Sequence, residues 1–309
     1  MTSSGQALLA PPRSIRQRLF AGKGALWIAL IVFGLIVILM ESRILRSTNG
    51  ALSFPMDEAF TRLAIAKNLA FQKVWGISKY EFTSASSSIL YPVLLAAVFF
   101  IFGAYPVIAL LVNIAAGAAL LIAVQRWLAR QALSFFTQLL ILLAVIFLTP
   151  LPVIVVAGME HTLQLLLSFL FITRFYNEWA GAQKLSRLTY LYGALLVANR
   201  YEGIILVVAA CILLLMKKRE LAALKLGLIS LVPVLAFGAI AVSKGSYFIP
   251  NPIVLPSEGP AFTFAGLYLA WLIGNTVAIG GALLAKYGQP LFKKGRRSRP
   301  PSLTALFFS

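Results

Sequence analysis

The stretch ALWIALIVFGLIVILM, residues 25–40, is sixteen consecutive residues without a polar side chain. Arg13, Arg16, Arg18 and Lys23 precede it, and Glu41, Ser42 and Arg43 follow. A basic lead into an apolar core resembles a secretory signal, but no small-x-small cleavage site follows directly. The run therefore reads as an uncleaved first transmembrane helix whose N-terminus is cytoplasmic. Outward from it the same texture recurs at 105–124, 133–148, 162–173, 188–199, 203–216, 221–242 and 262–285. Over 309 residues the chain is 60% hydrophobic and only 12% charged, about half the charge of a soluble domain. Those figures exclude disorder, collagen and coiled coil, and point to an all-α polytopic membrane protein.

The run at 89–103 decides the topology. Counted as a span, it puts Arg126/Arg130, Arg174/Lys184/Arg187 and Lys217/Lys218/Arg219 outside, against the positive-inside rule. It is fifteen residues long and contains Pro92, near the length of interfacial segments. Laid along the outer surface, it returns every basic cluster to the inside. Eight spans plus surface helices in a long first outer loop then place nineteen of the 27 Lys and Arg inside, and seven of the nine acids outside. The segments 188–199 and 203–216 are short, but fusing them would bury Arg200 and Glu202 in mid-membrane at a cost of several kcal/mol. Two short helices joined by a tight outer turn are the better reading. The expected organisation is a basic cytoplasmic N-terminus at 1–24, a transmembrane module at 25–285 with its outer loop at 41–104, and a basic cytoplasmic tail at 286–309. No internal repeat is evident.

The net charge of +18 fits loop bias in a membrane protein, so no nucleic-acid partner is expected. A single cysteine, Cys211, rules out an internal disulfide, and a single histidine, His161, rules out a zinc site of several His or Cys ligands.

Five polar groups fall on the outer side. Asp57 and Glu58 open an amphipathic stretch in which Phe60, Leu63, Ala64 and Leu69 share a face. A catalytic carboxylate fits there, and so does an N-cap followed by a Glu58–Arg62 i,i+4 pair. The run 83–88, with Ser86 and Ser87, can bind sugar or phosphate oxygens or simply cap a helix. Glu160 and His161 open the next outer element; neighbours on a helix point about 100° apart, which disfavours one shared ligand. Arg200 and Glu202 flank the turn at 200–203, as a local pair or a functional one. Pro250-Asn251-Pro252 forms a rigid late turn. Convergence of distant polar clusters on one face points to an outward-facing site.

In their order, these elements resemble the GT-C type of integral-membrane glycosyltransferase, which uses polyprenyl-phosphate sugars. Protein O-mannosyltransferases, the lipid A aminoarabinose transferase and mycobacterial terminal arabinofuranosyltransferases belong to it. The resemblance covers about residues 25–255. An Asp-Asp or Asp-Glu pair in a long first outer loop corresponds to Asp57-Glu58, and a Ser/Thr-rich stretch before a Pro-containing juxtamembrane helix to residues 83–92. Ser-Gly-x-Glu resembles Gly158-Met159-Glu160, with Ala157 in place of serine. Arg-Pro-Glu-Gly resembles Arg200-Tyr201-Glu202-Gly203, and a Pro-Asn element resembles Pro250-Asn251. The family usually continues with more spans, so a minimal or truncated member is the expectation.

The resemblance implies a GT-C-like bundle and inverting sugar transfer from a polyprenyl-phosphate donor to an acceptor hydroxyl on a lipid, glycan or protein. It implies Asp57 as general base and Glu58 orienting hydroxyls, with Arg200 and Lys67, Lys79 or Lys244 meeting the departing phosphate. Ser86, Ser87, Glu160, Glu202 and Asn251 complete the implied binding set. No organic cofactor is expected; a divalent cation shared by Asp57, Glu58 and Glu160 stays open. The expected setting is a bacterial-type cytoplasmic membrane, multi-pass, with the site outside and membrane lipids as neighbours. A transporter or lipid flippase, or a non-catalytic membrane subunit, are the alternatives; a transporter calls for ionisable groups near mid-membrane, where this chain offers mainly Asn113 and Gln138.

Overall fold

A computed structural model describes residues 15–131, 133–181 and 183–250, with side chains from Lys23 onward. The expected span at 262–285, the tail at 286–309 and Asn251 lie outside these residues. The described chain is helical, with no strand among the described residues. In order the helices are α1 (Ile15–Ser47), α2 (Asp57–Gln72), α3 (Leu90–Phe102), α4 (Val107–Leu128), α5 (Phe135–Leu148), α6 (Leu151–Val156), α7 (His161–Ala180), α8 (Arg187–Asn199), α9 (Ile204–Met216) and α10 (Glu220–Ser243).

Among the described residues, three helical stretches are long and apolar enough to cross a bilayer: Lys23–Ser47, Val107–Gln131 and Glu220–Ser243. The apolar helices α5 and α9, of 14 and 13 residues, rise about 20 Å, short of a hydrocarbon layer of roughly 30 Å. The outward faces of α1 and α10 are lined by exposed large apolar residues, among them Trp27, Ile31, Leu35, Leu221, Leu224 and Leu228. Contiguous apolar surface of this kind is rare on water-soluble monomers and is compatible with a membrane protein.

Two apolar cores hold the bundle. Phe33, Leu95, Leu121, Leu142 and Ile146 fill the first, between α1, α3, α4 and α5. Phe171, Phe175, Leu196, Leu214 and Leu226 fill the second, from α7 to α10. Gly193 sets the distance between α8 and α10, because a Cβ there would stand 2.6 Å from Ser230 Oγ.

Hydrogen bonds near the chain reversals show how the helices run. Glu178 near the end of α7 accepts from Ser186 N and Thr189 Oγ1 at the start of α8, at 3.0 and 2.6 Å. It thereby satisfies one of the backbone donors that a helix start leaves open, at Ser186, and a buried hydroxyl, at Thr189. Trp179 Nε1 donates to Leu213 O near the end of α9. Thus α8 runs against α7 and α9, and the chain reverses in the short turn Tyr201–Gly203, as the two-short-helix reading expects.

Helix α3 does not run along the bundle. Ile89 N donates to Ala198 O in the last turn of α8 at 2.9 Å. Tyr91 Oη donates to Gly158 O at 2.9 Å and accepts from Asn113 Nδ2, two turns into α4, at 2.7 Å. Its other end turns at Gly103, with φ +91°, straight into α4. Both ends of α3 therefore lie at one end of the bundle, and α2 packs on it there.

Two details differ from the sequence reading. The buried face of α2 is Ala59, Arg62, Leu63, Ile65 and Ala66, whereas Phe60 is exposed; the face includes Arg62, whose guanidinium is paired with the buried Glu160. Residues 151–156 form a helix of their own, α6, since Pro150 and Pro152 end the continuity from α5.

Candidate functional site

Among the helices that begin at the end of the bundle covered by α2 and α3, three supply the charged groups: α2 at Asp57, α7 at His161, and α9 after the turn at Tyr201–Gly203. Each start exposes unpaired N–H groups and the positive end of a helix dipole. An acid stands at every one of them: Glu58 in the first turn of α2, Glu160 immediately before α7, Glu202 immediately before α9. Part of the one-sided distribution of acids thus has a local structural cause.

These acids alternate with two arginines in one chain of contacts. Glu58 Oε2 lies 3.1 Å from Arg62 Nη1. Arg62 Nη2 donates to Glu160 Oε1 at 2.9 Å and to Ser87 Oγ at 3.2 Å. Its Nε approaches Glu160 Oε2 to 2.5 Å, without hydrogen-bond alignment. Arg200 Nη1 donates to the same Glu160 Oε1 at 2.8 Å and meets His161 Nε2 at 2.9 Å. The opposite edge of Arg200 is a fork on Glu202, Nε to Oε2 at 3.2 Å and Nη2 to Oε1 at 2.8 Å. Asn199 Nδ2 donates to Glu160 O and to Gln164 Oε1 at 3.2 and 2.9 Å. Glu160 is fully buried, and Arg62 and Arg200 are buried with it.

The geometry sets the charge states. Burial pushes the Glu160 carboxyl up, but Arg62 and Arg200 outweigh it and hold the group at about 2. Burial, aided by Arg200, brings the His161 imidazole down to about 4 against the opposing pull of Glu160. At neutral pH the ring is uncharged, so its Nε2 accepts from Arg200 and its Nδ1 carries the proton. Glu202 is raised by burial and lowered by more through Arg200, for a net downward shift. Three carboxylates against two guanidiniums leave the network with one excess negative charge.

Of the expected residues, Glu58, Ser87, Glu160, Arg200 and Glu202 belong to this network. Asp57 is exposed in the first turn of α2, one residue from Glu58, and its carboxylate has no side-chain partner among the described residues. Met56 rather than Asp57 is the N-cap. Ser86 turns inward on itself, donating to Ser88 O and accepting from Ser88 N, while Ser88 Oγ accepts from Tyr91 N at the start of α3. Lys67, Lys79 and Lys244 are exposed and make no ion pair among the described residues; Lys79 lies over the Tyr80 ring at 5.1 Å. Glu58 and Glu160 face one guanidinium, and no group of three or more His, Cys, Asp or Glu side chains placed to hold a metal occurs among the described residues.

Arg62 is the residue that sequence reasoning missed, since a Glu-Arg spacing of four reads as an ordinary surface pair. Its signal was positional: it lies on the same helical stripe as Ala59, Leu63 and Ala66. The sequence disfavours pairing His161 with Glu160, since neighbours diverge on an ideal helix; in the structure Glu160 precedes α7, and both reach Arg200. No family model, curated protein or solved structure matches the chain.

Proposed function

We propose that this chain is a GT-C type glycosyltransferase that moves a sugar from a polyprenyl-phosphate donor to an acceptor hydroxyl at the outer face of a membrane. The observation that carries the reading is the convergence of Glu58, Ser87, Glu160, Arg200 and Glu202. These residues come from four separate stretches, each belonging to a motif of the resemblance, and they meet in one buried network beside the exposed Asp57.

In this reading the chain crosses the membrane eight times from a cytoplasmic N-terminus, and α3 lies along the outer surface. The position of both ends of α3 at one end of the bundle supports that arrangement. Asp57 takes the proton from the acceptor hydroxyl as its oxygen attacks the anomeric carbon. The bond from that carbon to the phosphate oxygen breaks with inversion, and polyprenyl phosphate leaves as a monoester. An exposed, unpaired carboxylate suits a base that must meet solvent-borne acceptors. Glu58, tied to Arg62, keeps the first turn of α2 in place. The phosphate lies toward Arg200, and its lipid tail lies between apolar helices. The ionised groups cluster at a bundle end rather than mid-helix, which favours an enzyme over a transporter.

The test is transfer of labelled sugar from a panel of polyprenyl-phosphate donors by membranes holding the parent chain or its Asp57→Asn variant. The expected result is transfer by the parent that falls by at least about a hundredfold in the variant. Equal transfer by both removes Asp57 from the mechanism, and a folded parent inactive on every donor sinks the reading.

A further inference from the structure

The two exposed ends of the ion network are not equivalent. Arg62 turns its Nε/Nη2 edge toward the buried Glu160 and gives Glu58 a single nitrogen. Arg200 does the reverse. Glu160, fully buried, and His161 hold its Nη1, while its Nε/Nη2 edge is gripped by Glu202, whose side chain is 34% exposed. A buried guanidinium therefore offers its two-pronged face to a carboxylate that is half-buried and reaches solvent. The turn carrying Glu202 begins α9, so the same place receives the positive end of a helix.

We infer that Glu202 is a stand-in anion: it occupies the Nε/Nη2 edge of Arg200 until the oxygens of a phosphate group displace it. Two non-bridging phosphate oxygens span the same fork as the two carboxylate oxygens. Glu202 can swing to water, whereas Glu160 cannot leave, so Arg200 keeps its buried partner throughout the exchange. Among the described residues no lysine reaches this edge, which leaves Arg200 as the cation that meets the phosphate.

Resting on the transferase reading, the exchange also follows the charge of the reaction. The donor is a phosphodiester with one negative charge. The product is a monoester with about 1.5 to 2. Glu202 competes on even terms with the first and yields to the second as the bond breaks.

The experiment uses the full chain in lipid nanodiscs, titrated by calorimetry with inorganic phosphate, with farnesyl monophosphate and with farnesol. Glu202→Gln should bind the phosphates about tenfold more tightly than the parent and farnesol equally, and Arg200→Gln should abolish phosphate binding in both backgrounds. A gain confined to farnesyl phosphate assigns the site to a lipid headgroup; a gain for both assigns it to phosphate alone. Unchanged or weaker phosphate binding by a folded Glu202→Gln protein overturns the proposal, as does binding that survives Arg200→Gln. Where Glu202→Gln does not fold, Glu202→Asp must give a smaller gain in the same direction, and its absence is equally fatal. Binding requires no sugar transfer, so a chain that passes these titrations yet transfers no sugar refutes the transferase reading and leaves the exchange standing.

Discussion

Glu160→Gln keeps the size of the side chain and removes the one negative charge lying between two buried guanidiniums. Arg62 would keep Glu58 and Arg200 would keep Glu202, both at the solvent edge, while an amide NH₂ or carbonyl replaced the charge facing them. The Arg62–Glu160–Arg200 contacts hold the carboxyl at about 2 rather than the ordinary 4.5, which corresponds to about 3 kcal/mol of preference for the ionised, folded form. Breaking a buried pair from one side independently costs roughly 3–5 kcal/mol, so the expected loss is about 3 kcal/mol. Because the folded-state value is depressed, this stability is complete above about pH 4.5 and vanishes as pH falls through about 2. Reversible denaturation in mixed micelles at pH 7 reads the loss. A cycle with Arg62→Gln tests its origin: the double variant should lose less than the two single losses combined, by roughly 1–3 kcal/mol. A loss under about 1 kcal/mol, or strict additivity, refutes an electrostatic hub at Glu160.

His161 sits at about 4 in the folded chain against an ordinary 6.5. The unfolded chain takes up a proton that the folded ring refuses, so stability should fall as pH drops from 6.5 toward 4. With allowance for partial solvent contact, the loss between pH 7 and 5 is about 1–2 kcal/mol, and His161→Gln should flatten that part of the profile; an unchanged slope places the titrating group elsewhere. Gly158 has φ +71°, and a Cβ there would fall 2.4 Å from the Phe54 ring. Gly158→Ala should cost upward of about 2 kcal/mol. Phe54→Ala in the same chain should recover only the steric part, so full recovery would show that the backbone conformation costs nothing.

Most of the helices were legible because apolar length and charge placement are one-dimensional properties. The segment at 188–199 becomes α8 from Arg187 to Asn199, and that at 203–216 becomes α9, since burying Arg200 and Glu202 in one long helix was too costly to accept. The parity of basic loops singled out 89–103, which forms a separate helix, α3, tied at its start to the last turn of α8 and to Gly158 and joined at its end to α4. Helix α6 was not legible, because six residues that follow Pro150 and contain Pro152 carry no period. The network was legible in its members and hidden in its wiring. Glu160, Arg200 and Glu202 announced themselves as charges at the edges of apolar runs, whereas Arg62 had a sufficient partner four residues away. Nothing one-dimensional shows that this guanidinium also reaches a carboxylate from a distant helix.

The separation of that pair has a consequence for biogenesis. Arg62 and Glu160 are 98 residues apart, and a chain is made from its N-terminus. When α2 and α3 emerge, neither Glu160, nor Gly158, which accepts from Tyr91, nor Ala198, which accepts from Ile89, yet exists. Of its native partners only Glu58 and Ser87 are at hand to meet the guanidinium. The layer over the end of the bundle is therefore made before the groups that fix it and finds its place late: α2 and α3 wait, one carrying a partly unsatisfied guanidinium, until α7 and α8 supply the groups that hold them down.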